Sequence, residues 1–404
     1  MTRCLLYSHD TYGLGHFRRS SLLAEAIVEA DGDSEVLIAT GSPHARSFPL
    51  PERVDTVTLP SATKDGNGAY RPRKLRGSLR QLVSLRSAII SATVAAYEPE
   101  VILVDHAPLG MAGELGPLLD CVARRRGRPR MVLGVRDIID DADRVDAEWH
   151  RCDVWNSLDR YDDIFVYGDP RIVTTAAELA LSARCDAAVT HTGYVAPSMP
   201  SSTRSDPYVL VTPGGGGDGQ AMLRCYLDAL DVGAVAGVRS LIVTGPLMSS
   251  SRRDELLTRA QRTPSVECIE FSSEMRSLIS SATGVISMAG YNTVVEELAA
   301  DVPALLVPRR WPRAEQTIRA ARITPHSRLQ HCSVEQFDPA AIARFIDDAL
   351  DCRGAAASVT DLDLGGAETV ARLLTGARLT STPRPRSTDE TEQLHDCAAH
   401  DVRA

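Results

Sequence analysis

Between Gly284 and Val307 the chain reads GVISMAGYNTVVEELAADVPALLV. Gly284–Met288 is a short apolar run that predicts a strand, and Ala304–Val307 predicts another. Tyr291–Ala300 between them predicts a helix, entered through the glycine turn at Gly290. Two strands joined through one helix form a parallel crossover unit, the building block of α/β sheets.

The same alternation extends in both directions. Arg3–Ser8, Glu35–Thr40, Val54–Leu59, Val101–Asp105, Met131–Val135 and Ile164–Tyr167 read as strands in the first half, separated by longer amphipathic stretches. Tyr208–Thr212, Ser240–Thr244 and Val266–Phe271 add to the unit above in the second half, with further helices over Ala221–Leu230 and Ala314–Ile323. Strands rich in Val, Ile and Leu that lack a polar alternate belong to parallel sheets covered by helices on both faces. The proline- and serine-rich stretch APSMPSSTRSDP, Ala196–Pro207, separates the halves. An N-terminal lobe over 1–196 and a C-terminal lobe over 207–375 are therefore expected, with a polar, disordered tail over 380–404.

Composition narrows the function. The 404 residues are 44% hydrophobic and 24% charged, as in ordinary globular proteins. A net charge of −9 argues against a general electrostatic grip on nucleic acid. The nine cysteines are scattered with no CxxC, which suits a reduced cytoplasmic protein. No stretch approaches the ~18 apolar residues of a membrane span, so any membrane contact is expected to be peripheral. Two basic runs, Arg71, Arg73, Lys74, Arg76, Arg80 and Arg86, then Arg124, Arg125, Arg126, Arg128 and Arg130, read either as solvated faces or as a surface for anionic lipid or nucleic acid.

Four loops at strand ends carry the candidate chemistry. Gly13-Leu14-Gly15-His16 follows the first strand, and His16 at a helix start can act as a general base or simply occupy a turn. Gly214, Gly215, Gly216, Gly217, Asp218 and Gly219 follow YVLVT; their free amides at a helix N-terminus suit a phosphate, although no Walker lysine follows. Gly290, Asn292 and Thr293 open the third loop. Thr293-x-x-Glu296 fits a capping box, while Glu296 could instead accept two ribose hydroxyls. Glu315 and Gln316 open the fourth, where Glu315 and Arg319 form a surface i,i+4 pair or, alternatively, Glu315 and Gln316 read the hydroxyls of a sugar. Asp105-His106 and Arg136-Asp137 end two further strands, with Asp105 placed to orient His16 or to bind an acceptor. Asp141-Ala142-Asp143 and Asp361-Leu362-Asp363 match a metal-binding DxD only formally, and no metal ligand is assigned.

Taken together, GLGHFRR, GGGGDG and AGYNTVVEELAADVPALLVPRRWPRAEQTIRAARI resemble the MurG-like nucleotide-sugar glycosyltransferases, in their predicted bacterial branch with a family 28-type C-terminal domain. The resemblance covers nearly the whole chain to about Leu374. It implies a GT-B fold, with two Rossmann-like lobes facing a central cleft, and inverting, metal-independent transfer from a UDP-sugar to a hydroxyl acceptor. No tightly bound cofactor is implied. His16 would be the base and Gly13, Gly15 its loop. Gly214 to Gly219 would face the diphosphate, with Gly290, Asn292 and Thr293 as the turn against it. Glu296 would hold the ribose, Phe271 and Ser272 would lie near the uracil, and Glu315 and Gln316 would address the donor sugar. Leu14 between the first two glycines, and Glu315-Gln316 in place of paired glutamines, depart from the peptidoglycan enzyme, so its lipid acceptor and its N-acetylglucosamine preference are not carried over. Nucleotide-sugar hydrolases and 2-epimerases share the architecture, and a non-catalytic binding protein is a further alternative.

Overall fold

The computed structural model of the protein describes residues 2–9, 15–64, 69–124, 127–201, 207–235, 237–351 and 361–376. Gly13, Arg125, Arg126, residues 202–206 of the serine-rich linker and the 380–404 tail lie outside the described residues.

Among the described residues, nine strands belong to the N-terminal half: β1 (Arg3–Ser8), β2 (Glu35–Thr40), β3 (Val54–Thr58), β4 (Ala62–Lys64), β5 (Tyr70–Pro72), β6 (Val101–Asp105), β7 (Arg130–Arg136), β8 (Asp163–Tyr167) and β9 (Ala188–His191). Seven of them form a parallel sheet in the order β3-β2-β1-β6-β7-β8-β9, and β4 and β5 pair as a small antiparallel hairpin. The second half contributes β10 (Tyr208–Thr212), β11 (Arg239–Val243), β12 (Val266–Ile269), β13 (Gly284–Ser287), β14 (Ala304–Leu306) and β15 (Leu329–His331). They form a six-stranded parallel sheet ordered β12-β11-β10-β13-β14-β15. Every residue of β6 and of β10 is buried, as strands covered on both faces by crossover helices must be.

Each sheet reverses its winding beside its first strand, between β1 and β6 and between β10 and β13. The crevice beyond the carboxyl ends at such a reversal is where open α/β sheets place ligands. The helix start at Gly15 after β1 and the loops after β6, β10 and β13 therefore converge there, and these segments carry most of the candidate residues.

The last helix departs from the expected division of the chain. Gly366–Thr375 packs along the helix Gly15–Ala30 of the first lobe rather than on the second sheet. Its apolar stripe, Val370, Ala371 and Leu374, joins the core cluster that holds Phe17, Leu23 and Ile27. The approach is close: a Cβ on Gly366 would stand 2.4 Å from the carbonyl oxygen of Gly193, so only glycine fits.

Charged groups also join the two halves. Arg319 reaches from the helix Glu315–Ile323 to Asp137 beyond β7, at 2.7 and 2.6 Å, with both side chains almost wholly buried. Arg313 meets Glu148 at 2.9 Å and the Ala314 amide donates to Asp140 at 2.7 Å. Tyr291 accepts from the Val195 amide at 3.1 Å through its hydroxyl, and Asn292 donates to the Gly15 carbonyl at 2.8 Å.

Three members of the two basic runs are held by carboxylates of the protein itself. Arg86 is buried against Glu114 at 2.5 Å, and the Glu114 carboxylate also accepts from Tyr7, so this residue belongs to a core network. Arg128 and Arg130 pair with Asp162 and Asp163. Among the described residues no helix is long and apolar enough to cross a membrane.

Candidate active site

A cavity of about 570 Å³ lies between the lobes, and the loops described above line it. From the first lobe come Gly15, His16, Arg18, Arg19, Phe48 and Arg136; from the second come Gly214 to Asp218, Phe271, Ser272, Gly290 to Thr293, Glu296, Glu315 and Gln316.

His16 stands in the first turn of the helix that begins at Gly15. Its Nδ1 lies 2.6 Å from Asp105 Oδ2 at the end of β6. Arg19, one turn further along, binds the same carboxylate at 2.9 and 2.8 Å. Burial would by itself raise the Asp105 carboxyl, but the Arg19 charge and the His16 hydrogen bond outweigh it and hold it at about 2. An ionised Asp105 accepts, so His16 Nδ1 carries the proton and donates it, leaving the Nε2 lone pair as the basic one. The contact of Arg19 with His16 Nδ1 at 3.2 Å is then a packing contact, since both nitrogens are donors. Asp105 is 2% exposed and lies behind His16, so it orients the ring rather than facing the cavity.

His106 follows Asp105 with its ring 5.4 Å from that of His16. Burial first, then the Arg136 charge, press its pKa well below the usual imidazole range, so it is neutral and accepts from Arg136 at 3.1 Å through Nε2.

Across the cleft, Gly214 and Gly216 adopt φ of 74° and 90°, conformations that only glycine takes at little cost. A Cβ on Gly216 would stand 2.2 Å from the carbonyl oxygen of Thr244, which ties the loop to the strand end beside it. Gly219 does not join them: it is buried at the start of the helix Gln220–Asp231, where a Cβ would strike Pro213 at 2.0 Å.

The capping-box reading of Thr293 and Glu296 is overturned. The helix Tyr291–Ala300 starts from Gly290 with no side-chain cap, so Thr293 and Glu296 both lie within it. Glu296 instead forms an ion pair with Arg18 of the first lobe. The surface-pair reading of Glu315 and Arg319 fails as well, because Arg319 is committed to Asp137 and Glu315 accepts from Arg309 at 2.6 Å. Gln316 accepts from the Arg309 amide at 3.0 Å, and Arg309 also reaches Asp218 at 2.7 Å, so one arginine ties the fourth loop to the glycine loop. Glu315 keeps one buried oxygen without a hydrogen-bond partner. Phe271 lies past the end of β12, its ring 6.2 Å from that of Phe48 on the opposite lobe. Asp141 caps the helix Ala142–Arg151 through the Arg144 amide, and Asp361 pairs with Arg171. Among the described residues no three His, Cys, Asp or Glu side chains gather as a metal site.

Sequence reasoning passed over Arg18, Arg19 and Arg309. For the first two the signal was present: in GHFRR they fall two and three positions after His16, within one helical turn of it.

Glu297, beside Glu296, is fully buried, and burial together with the Glu296 charge pushes its carboxyl up to about 8 from the ordinary 4.5. The native state thus keeps a proton that the unfolded chain gives up above 4.5, so this group's contribution to stability falls as pH rises through the window from 4.5 to about 8. Glu297→Gln is expected to gain on the wild type by roughly 2–4 kcal/mol between pH 5 and 8 in denaturant titrations, whereas a pH-independent difference would contradict the shift.

Two parallel-sheet lobes facing one cleft define the GT-B class of α/β proteins. Residues 215–350 match the family model described as the glycosyltransferase family 28 C-terminal domain. The C-terminal lobe thus resembles the family 28 glycosyltransferase C-terminal domain, and the chain as a whole shares the GT-B fold of MurG. MurG of Acinetobacter baumannii superposes with a TM-score of 0.52 at 12% identity, over 92% of this chain and 95% of that one. The glycosyltransferase SnogD from Streptomyces nogalater gives 0.56 at 18%, over 93% and 100%. The UDP-GlcNAc 2-epimerase from Methanocaldococcus jannaschii gives 0.57 at 11%, over 93% and 100%. At these identities the structural likeness speaks for the fold, and the family 28 match supports a glycosyltransferase. No curated protein matches the sequence.

Proposed function

We propose that the protein transfers a sugar from a UDP-sugar to a hydroxyl acceptor with inversion at the anomeric carbon, in the cytoplasm and without a metal ion. The observation that carries this reading is the placement of the His16–Asp105 pair across one cavity from the glycine loop and Glu296. The first lobe, 1–196 with the returning helix Gly366–Thr375, would receive the acceptor, and the second, from 207 to about 351, the donor.

In this mechanism the acceptor hydroxyl gives its proton to His16 Nε2 as its oxygen bonds to the anomeric carbon and the bond to the diphosphate breaks. The charge that develops on the departing diphosphate falls to the amides of Gly214 to Gly217 and to the helix start at Gly290, a preorganised arrangement of the kind worth several kcal/mol in a transition state. Glu296 would take the ribose hydroxyls and release Arg18. Glu315 and Gln316 would address the donor sugar, with Phe271 and Ser272 beside the base. An anionic hydrogen-bond acceptor is worth about 1.5–3 kcal/mol, so Glu296→Ala is expected to weaken UDP binding by roughly 10- to 100-fold in calorimetry. Unchanged affinity would remove Glu296 from the donor site. Release of free sugar, or of an epimer, in the absence of any acceptor would favour the hydrolase or epimerase reading.

A further inference from the structure

Five arginines line the cavity, and four of them meet a carboxylate: Arg18 with Glu296, Arg19 with Asp105, Arg309 with Asp218 and Glu315, and Arg319 with Asp137. Arg136, at the end of β7, is the exception among the described residues. It donates one hydrogen bond, to the neutral ring of His106, and its Nε is buried without a partner. Burial first, and then the charges of Arg19 and Arg319, lower its pKa to about 10, so it remains cationic at neutral pH although its surroundings disfavour that charge. A partly withdrawn guanidinium beside two other guanidinium groups, whose neighbouring carboxylates Glu315 and Asp137 are already paired with Arg309 and Arg319, is suited to a ligand that brings negative charge.

Its position says which ligand. Arg136 belongs to the first lobe, and through His106 it adjoins the ring of His16. The diphosphate, on the reading proposed above, is held by the glycine loop on the opposite lobe. We propose that Arg136 is an anion subsite for the acceptor, binding a phosphate or carboxylate carried by the molecule whose hydroxyl His16 deprotonates. This rests on the donor assignment to the second lobe. The protein would then prefer acidic acceptors to neutral ones of the same shape.

The test is calorimetric, on the full chain, with wild type, Arg136→Leu and Arg136→Lys, each first checked for an unchanged melting temperature. UDP is titrated first, then inorganic phosphate into the UDP-saturated protein. The expected result is phosphate binding that survives UDP saturation, falls by about tenfold or more in Arg136→Leu and is largely kept in Arg136→Lys, with UDP affinity within about threefold throughout. Equal phosphate binding in wild type and Arg136→Leu, or none in either, overturns the proposal. A tenfold or larger loss of UDP affinity in Arg136→Leu overturns it too, by giving the guanidinium to the donor diphosphate. A loss confined to UDP-glucuronate relative to UDP-glucose overturns it by placing the anion on the donor sugar. Failure of UDP to bind the wild type sinks the donor reading instead, and phosphate titrated without UDP still reports whether Arg136 holds an anion.

Discussion

His16→Ala lowers turnover for glycosyl transfer by about 10²- to 10⁴-fold and leaves UDP affinity nearly intact, the range expected when a positioned general base is removed. The split between turnover and affinity follows from geometry. His16 and the Asp105 carboxylate that orients it lie on the first lobe, while the glycine loop and Glu296 lie on the second. Removing the imidazole therefore deletes a group that acts on the acceptor proton without touching the donor contacts. Single-turnover rates and calorimetry on the same variant read the two quantities separately. Turnover like the wild type's would remove His16 from catalysis, and an equal fall in UDP affinity would mean that the ring serves the donor. Asp105→Asn supplies a finer control. The charge that matches an imidazolium is lost and the amide can hold the wrong tautomer, so turnover should fall by orders of magnitude here as well, again with UDP affinity nearly intact.

Arg319→Ala is expected to cost about 3–5 kcal/mol of stability, because it strands a buried carboxylate. Asp137 is wholly buried and receives two hydrogen bonds from Arg319, at 2.7 and 2.6 Å. The same guanidinium donates to the Ala289 carbonyl at 2.9 Å, directly before the Gly290 turn. The residue thus ties the end of β7 in the first lobe to the turn after β13 in the second. In thermal denaturation the loss should appear as a fall of about 5–15 °C. Arg319→Ala combined with Asp137→Ala should recover part of it, since no buried charge is then left alone. A single variant as stable as the wild type would show that Asp137 finds another partner or that water reaches it.

Much of this architecture was legible because parallel strands buried on both faces leave an unbroken apolar signal. β1, β2, β6 and β10 have the bounds read from the sequence, and the helix Tyr291–Ala300 does as well. What the sequence hid was of two kinds. Edge elements such as β9, with exposed or half-buried positions throughout, and the three-residue β15 carry too little apolar periodicity to stand out. Contacts between distant segments leave no local trace at all: nothing in GAETVARLL says that its stripe lies on the helix Gly15–Ala30 rather than on the nearer sheet. The same holds at the site. Three of the four loops were found through glycines at strand ends, but the partners of Glu296 and Arg319 come from the other lobe, and local spacing suggested a cap and a surface pair instead.

On the proposed reading the second lobe binds a uridine diphosphate sugar. Thermal unfolding of the purified protein, titrated with UDP, GDP, dTDP, ADP and several UDP-sugars, tests it most directly, because a ligand that binds only the folded state must raise the melting temperature. A rise is expected for UDP and for at least one UDP-sugar, equivalent to about 2.7 kcal/mol at a hundredfold excess over Kd, and little response to the other bases. A melting temperature that does not move with any nucleotide would contradict the donor site at Gly214 to Gly217 and Glu296.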